Sequence, residues 1–346
     1  MNRLQWPRWM PVDPYILLLL GAVGLAALLP ARGTAADVAS GASTAAIAFL
    51  FFLYGARLST HEALAGLRHW RLHVTVLACT FVAFPVLGIA TRGLVPVLLT
   101  HDLHTGLLFL TLVPSTIQSS IAFTSIARGN VPAAICAGSF SSLAGIVITP
   151  LLAAVLLGNS GGGFSADSLV KIVLQLLVPF LAGQALRRWI GGFVTRHRKV
   201  LGLVDRGSIL IVVYTAFSEG MVQGIWHQVS PPRLGGLLVV EAALLAVMLA
   251  LTWYGSRALG FDRGDRIAIQ FAGSKKSLAS GLPMASVLFG THAALAVLPL
   301  MLFHQMQLMV CAVIAKRRSH DAEASPTGPE QTAASRAAAG TETRSG

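Results

Sequence analysis

Runs of apolar residues, each about as long as a membrane-crossing helix, recur from Ile16 to Val313, and short cationic segments separate them. A helix crosses the hydrocarbon core with ~20 consecutive apolar residues. Inside that core every backbone N–H and C=O must find a partner within the protein, so only helices and closed barrels cross it. A barrel would show ~10-residue segments of alternating polarity; here the runs are unbroken Leu, Ala, Val and Ile. Only 12% of the residues are charged and 54% are hydrophobic, with mean hydropathy +0.70, against roughly 25% charged in ordinary soluble domains. That excludes a soluble globular enzyme and predicts an all-α polytopic protein embedded in a lipid bilayer.

Ten transmembrane helices are read, at about 14–29, 41–56, 72–90, 105–126, 131–157, 168–190, 208–226, 234–259, 266–289 and 293–315. So many runs follow the first, and Pro30-Ala31-Arg32 is so poor a cleavage context, that the first run reads as a span rather than a signal peptide. Residues 1–13 form an N-terminal segment with Trp6 and Trp9 suited to a membrane interface. Residues 158–167 form an extracytoplasmic loop. The polar, small-residue stretch 316–346 is expected to be a disordered tail. With the N-terminus inside, the inside segments hold eighteen Lys and Arg, while the outside loops hold three, Arg32, Arg92 and Arg233. Cations concentrate on the cytoplasmic side of membrane proteins, so both termini are expected in the cytoplasm, with the chain in the cell (plasma or inner) membrane. The same placement accounts for the net charge of +12 without a nucleic-acid partner. Cys79, Cys136 and Cys311 lie inside apolar runs, with neither disulfide nor zinc spacing.

Ten spans divide into two five-helix halves, 14–157 and 168–315, of opposite orientation, the parity of an inverted repeat. The fourth span of each half carries the polar residues. In span four, Pro114 removes a backbone donor, and Ser115, Thr116, Gln118, Ser119, Ser120 and Thr124 follow it. Single hydroxyls in membrane helices often bond back to their own backbone; a cluster beside a proline reads instead as a cavity lining. In span nine, Gly273, Ser274, Lys275, Lys276, Ser277 and Ser280 lead to Gly281 and Pro283. A lysine at the bilayer centre costs ~2.5–3.5 kcal/mol on insertion scales, so two adjacent ones need water, a counter-charge or unwound backbone. Broken helices at matching places in two halves point to a midplane binding site. Glu219 and Glu241 are the carboxylates inside apolar runs; Glu219 is expected to counter-charge a span-nine lysine. His304, Gln305 and Gln307 in span ten line the cavity or bond between helices.

The stretches Gln118-Ser119-Ser120-Ile121-Ala122-Phe123-Thr124-Ser125-Ile126-Ala127-Arg128-Gly129-Asn130-Val131 and Gly273-Ser274-Lys275-Lys276-Ser277-Leu278-Ala279-Ser280-Gly281-Leu282-Pro283-Met284-Ala285 resemble the bile acid:sodium symporter superfamily, in particular its cotransporter-7-like branch. The resemblance covers about residues 10–316. It implies a panel domain and a core domain, each assembled from both repeats, with spans four and nine crossing in the core. It also implies that Ser119 and Ser120 stand where sodium-coupled members place adjacent Ser and Asn ligands. Ala134, Gly138 and Ser274 stand at further ligand places, so most of those oxygens are missing here. On this basis Lys275 or Lys276 is expected to replace a sodium ion.

The expected function is secondary active transport, as a symporter of that family, of a small organic anion by alternating access, with Na+ or H+ as coupling ion. The alternative is a membrane regulator of ion homeostasis with little transport of its own. Neither a Gly-x-Ser-x-Gly elbow, a His-Glu-x-x-His motif nor a Walker loop occurs, so neither enzymatic activity nor ATP-driven transport is expected.

Overall fold

The structure, a computed structural model, describes residues 14–57, 69–157, 166–222, 224 and 230–324. The N-terminal segment 1–13, residues 158–165 of the expected loop and most of the expected tail lie outside the described residues. Among those described, the chain is helical and forms no strand.

The helices are α1 (Pro14–Leu28), α2 (Thr34–Arg57), α3 (Trp70–Leu94), α4 (His101–Leu112), α5 (Gln118–Ile126), α6 (Val131–Leu157), α7 (Ala166–Arg196), α8 (Arg198–Val222), α9 (Pro231–Ala258), α10 (Arg263–Gly273), α11 (Leu278–Phe289) and α12 (Ala293–Ala324). Six of them contain segments long and apolar enough to cross a membrane: Thr34–Arg57, Trp70–Leu94, Val131–Leu157, Lys199–Val222, Pro231–Ala258 and Ala293–His320. The chain is a multi-pass helical membrane protein.

Two expected spans are interrupted. Residues 113–117 separate α4 from α5, because Pro114 cannot continue the ladder and its neighbour Val113 takes an extended conformation. Residues 274–277 separate α10 from α11. Pro283, at the end of the span-nine polar run, lies inside α11. Three helix starts near these breaks carry side-chain caps: Thr100 accepts from the Leu103 N–H at 3.2 Å, Asp262 from the Asp265 N–H at 2.8 Å, and Ser277 from the Ser280 N–H at 3.2 Å, whereas α5 starts without one.

Element ends also move. α12 runs through 316–324, where a disordered tail was expected. Lys and Arg are good helix formers, and Arg318 is fixed there by stacking on Trp253 and donating to Gln270 Oε1 at 3.0 Å. α2 begins at Thr34 rather than 41, and α8 at Arg198 rather than 208.

Helices α1, α2, α7 and α8 pack together, α2 against α7 most extensively. The remaining helices form a second group around the two breaks, and α8 meets it through α11 and α12. The α2–α7 contact is backbone on backbone. A Cβ added at Gly55 would lie 1.9 Å from the Phe180 carbonyl oxygen, and one at Gly183 would lie 2.0 Å from that of Phe52. Small residues let membrane helices approach this closely. Arg57 and Asp205 add an ion pair between α2 and α8.

Gly55→Val or Gly183→Val forces these backbones apart. Overpacking costs about 3 kcal/mol at the upper end of its usual range, so thermal unfolding of the purified protein should show a clear loss of stability for each. Wild-type unfolding in both variants would mean the contact is looser than described.

Candidate functional site: two helix breaks face to face

The two interruptions are bonded to each other. The Ser277 N–H donates to the Pro114 carbonyl at 2.8 Å, and Ser115 Oγ donates to the Ala272 carbonyl at 2.5 Å. Ser120 Oγ lies 2.9 Å from the Phe271 carbonyl and 2.5 Å from the Thr116 carbonyl of its own helix. Below the junction, Asn130 ties the end of α5 to the start of α10, through Asp265 Oδ1 at 2.7 Å and the Gly264 carbonyl at 3.0 Å.

Each break is completed by the helix that follows it. α6 presents Gly138, Ser141, Gly145 and Thr149 on one face, at spacings of three, four and four. Ser141 Oγ accepts from the Ser115 N–H at 2.9 Å, and Thr149 Oγ1 donates to the Leu112 carbonyl at 2.8 Å. A Cβ on Gly145 would sit 2.7 Å from Pro114, and one on Gly138 3.2 Å from Ile117, so the glycines make room for the interrupted segment. α12 serves the other break with Gln307, which accepts from the Lys276 N–H and donates to the Lys276 carbonyl, both at 2.8 Å. His304 stands beside it, 2.8 Å from the Gln307 amide.

The two lysines are both fully buried and differently held. Lys276 Nζ lies 2.8 Å from the Thr80 carbonyl, 2.6 Å from that of Thr111 and 2.9 Å from that of Val113, with the Phe84 ring 4.2 Å away. Lys275 Nζ donates to Ser119 Oγ at 3.1 Å and lies over the Phe123 and Phe271 rings. The expected lysine–Glu219 pair is not formed. Glu219 is half-buried on α8, and the ion pair found among the described residues is Arg57 with Asp205. Main-chain carbonyls, two at the first break and one on α3, take the place of the carboxylate for Lys276. Glu241 is fully buried on α9, and neither carboxylate oxygen has a hydrogen-bond partner.

The other expected residues divide by orientation. Gln118 is exposed and Ser119 half-buried at the open side of the junction, while Ser115, Thr116, Ser120 and Ser280 are turned into it. Thr124 is fully buried with its hydroxyl unpaired, and Gln305 Oε1 is likewise unpaired. Ser274 bonds back to the Gln270 carbonyl at 2.5 Å, the local pattern weighed for isolated hydroxyls. Gly273 lets α10 pass Thr252 and Cys79, with a Cβ there 3.1 Å and 3.2 Å from them. Ser119 and Ser120 both have partners in this arrangement, Lys275 Nζ at 3.1 Å and the Phe271 carbonyl at 2.9 Å. Ser141, Thr149 and Thr80 were missed; the period of small and polar residues along 138–149 is the signal that carries the first two.

A cavity of about 580 Å³ lined by Arg57, Gln184, Arg187 and Arg188 opens where α2 meets α7. None of its lining residues belongs to the break segments.

A multi-pass helical protein with two interrupted helices joined at their breaks has the architecture of a secondary transporter. Residues 13–320 match the SBF-like CPA transporter family, and the chain belongs to that family. It is a family of transporters, and the chain is not an enzyme. The chain is 55% identical to "Uncharacterized protein PA2026" of Pseudomonas aeruginosa, over 90% of this chain and 94% of that protein. It is 48% identical to the "Putative symporter YfeH" of Escherichia coli K12 over the same shares. It is 28% identical to the "Sodium/bile acid cotransporter 7" of Danio rerio, over 78% of this chain and 81% of that protein.

Gln307→Met keeps the length of the side chain, leaves the Lys276 N–H unpaired, and leaves its carbonyl with only the long His304 contact at 3.4 Å. An abandoned buried donor or acceptor costs ~1–3 kcal/mol. Thermal unfolding should therefore drop by about 2 kcal/mol or more, whereas Gln118→Met on the exposed side should change little.

Proposed function

We propose that the chain is a secondary transporter that carries a small organic anion across the cell membrane by alternating access, with the junction of the breaks as its binding site. One observation carries the reading. The start of α5 has no side-chain cap, and beside it stands the Lys275 ammonium, held by a single serine and paired with no carboxylate among the described residues. A helix N-terminus favours negative charge. A buried cation without a counter-charge is costly, and an anionic substrate supplies the missing charge. Approaching over exposed Gln118, it meets Ser119 first and displaces the Lys275 contact to reach the ammonium.

Ten spans in two inverted repeats fit the packing. Under that pairing α1 corresponds to α7 and α2 to α8, so the contacts α1–α8 and α2–α7 are equivalents. α6 and α12, the fifth helix of each half, both complete the break before them. The cationic asymmetry supports a cytoplasmic place for both termini. The names of the relatives, a symporter and a sodium/bile acid cotransporter, support coupled transport. Ser119 and Ser120 are occupied by internal bonds, which favours protons carried at Lys275, or no coupling ion, over sodium.

Uptake into proteoliposomes tests this with labelled carboxylates and sulfates, a bile acid among them. Flux should survive replacement of sodium by choline and respond to a pH gradient. Lys275→Met and Ser119→Ala should each lower it at least tenfold while membrane expression stays near normal. A strict sodium requirement without pH response would restore sodium coupling. Absence of flux for every anion would favour the regulator.

A further inference from the structure

Three carbonyl oxygens converge on Lys276 Nζ, and each lacks its helical partner for a separate reason. Thr111 would accept from the N–H of Ser115, which goes to Ser141 Oγ instead. Val113 lies in the extended segment past the end of α4. Thr80 belongs to the π-helical turn Cys79–Ala83 within α3, where the Phe84 N–H bonds to the Cys79 carbonyl. In that wider register Thr80 would pair with residue 85, a proline without an N–H. The three oxygens therefore point at a common place with nothing else to bind, in a region sealed from solvent.

A neutral amine has two N–H groups and an ammonium three. Three acceptors at 2.6–2.9 Å match the three donors of the ammonium form. The Phe84 ring, 4.2 Å off, turns an electron-rich face to the same point. Dipolar carbonyls without an ionised oxygen are the ligands that replace the hydration shell of a monovalent cation; divalent cations take carboxylates.

We propose that Lys276 is a resident cation: its ammonium fills a main-chain oxygen site which, once the side chain is cut back, binds a free monovalent cation. The native junction is thereby held together without drawing an ion from solution. The inference rests on the geometry alone and stands apart from the transport reading, because its readout is stability rather than flux.

The test compares the wild type, Lys276→Ala and Lys276→Met by thermal unfolding and size-exclusion chromatography of the full-length protein in detergent. Each is measured in choline chloride and in ammonium, methylammonium, potassium or sodium chloride at equal ionic strength. The wild type should unfold at the same temperature in all five. Lys276→Ala should unfold earlier in choline and regain half or more of the lost interval in at least one small cation. Its recovery should grow with the logarithm of concentration, as for a ligand bound to the folded state alone. Lys276→Met, which fills the space without a charge, should lose stability and not recover. The proposal is overturned if Lys276→Ala shows no cation-specific recovery or aggregates in every salt. It is overturned equally if Lys276→Met matches the wild type.

Discussion

Hydrocarbon offers no hydrogen bonds, so a helix broken inside a membrane abandons carbonyls and amides that only the protein itself can satisfy. The centre of this chain holds two such breaks, and its neighbours are chosen to absorb them. Serine and threonine on α6 take the amide of Ser115 and the carbonyl of Leu112. A glutamine on α12 takes both groups of Lys276. What remains is satisfied across the junction, as in the bond from Ser277 to Pro114. A continuous helix would have needed none of these side chains.

The adjacent lysines show how one residue type is put to two uses. Lys276 faces only main-chain oxygens and an aromatic ring, all fixed by the backbone. Lys275 faces one hydroxyl and two rings on the side where Ser119 is half-buried. The first is part of the scaffold, and the second is the group that the proposed anion would meet. Both lie in the stretch between α10 and α11, outside either helix, where neighbours in sequence reach different partners.

Much of this was legible in the sequence. The apolar runs located the helices, Pro114 and its hydroxyl cluster located the first break, and the cost of a buried lysine located the second. The division of labour within each cluster was not legible. Ser119 and Ser120 look alike in the sequence, yet a turn of about 100° between successive helical residues sends one outward and one into the Phe271 carbonyl. The Glu219 pairing is not formed because unwound backbone, the other partner open to a buried lysine, supplies three carbonyls to Lys276 in its place. The stripe on α6 escaped notice since glycine and serine in an apolar helix acquire meaning only from the segment that lies against them.

The reciprocal contact of Gly55 with Phe180 and Gly183 with Phe52 limits how the molecule can deform. With main chain seated in main chain at two points, sliding α2 along α7 would drive a carbonyl into the next residue's Cβ. Packed helices usually accommodate motion by small shears of their side chains, and at these two points there is no side chain between them to yield. The two helices travel as a single plank, and any rearrangement of the protein has to take place along the plank's edges.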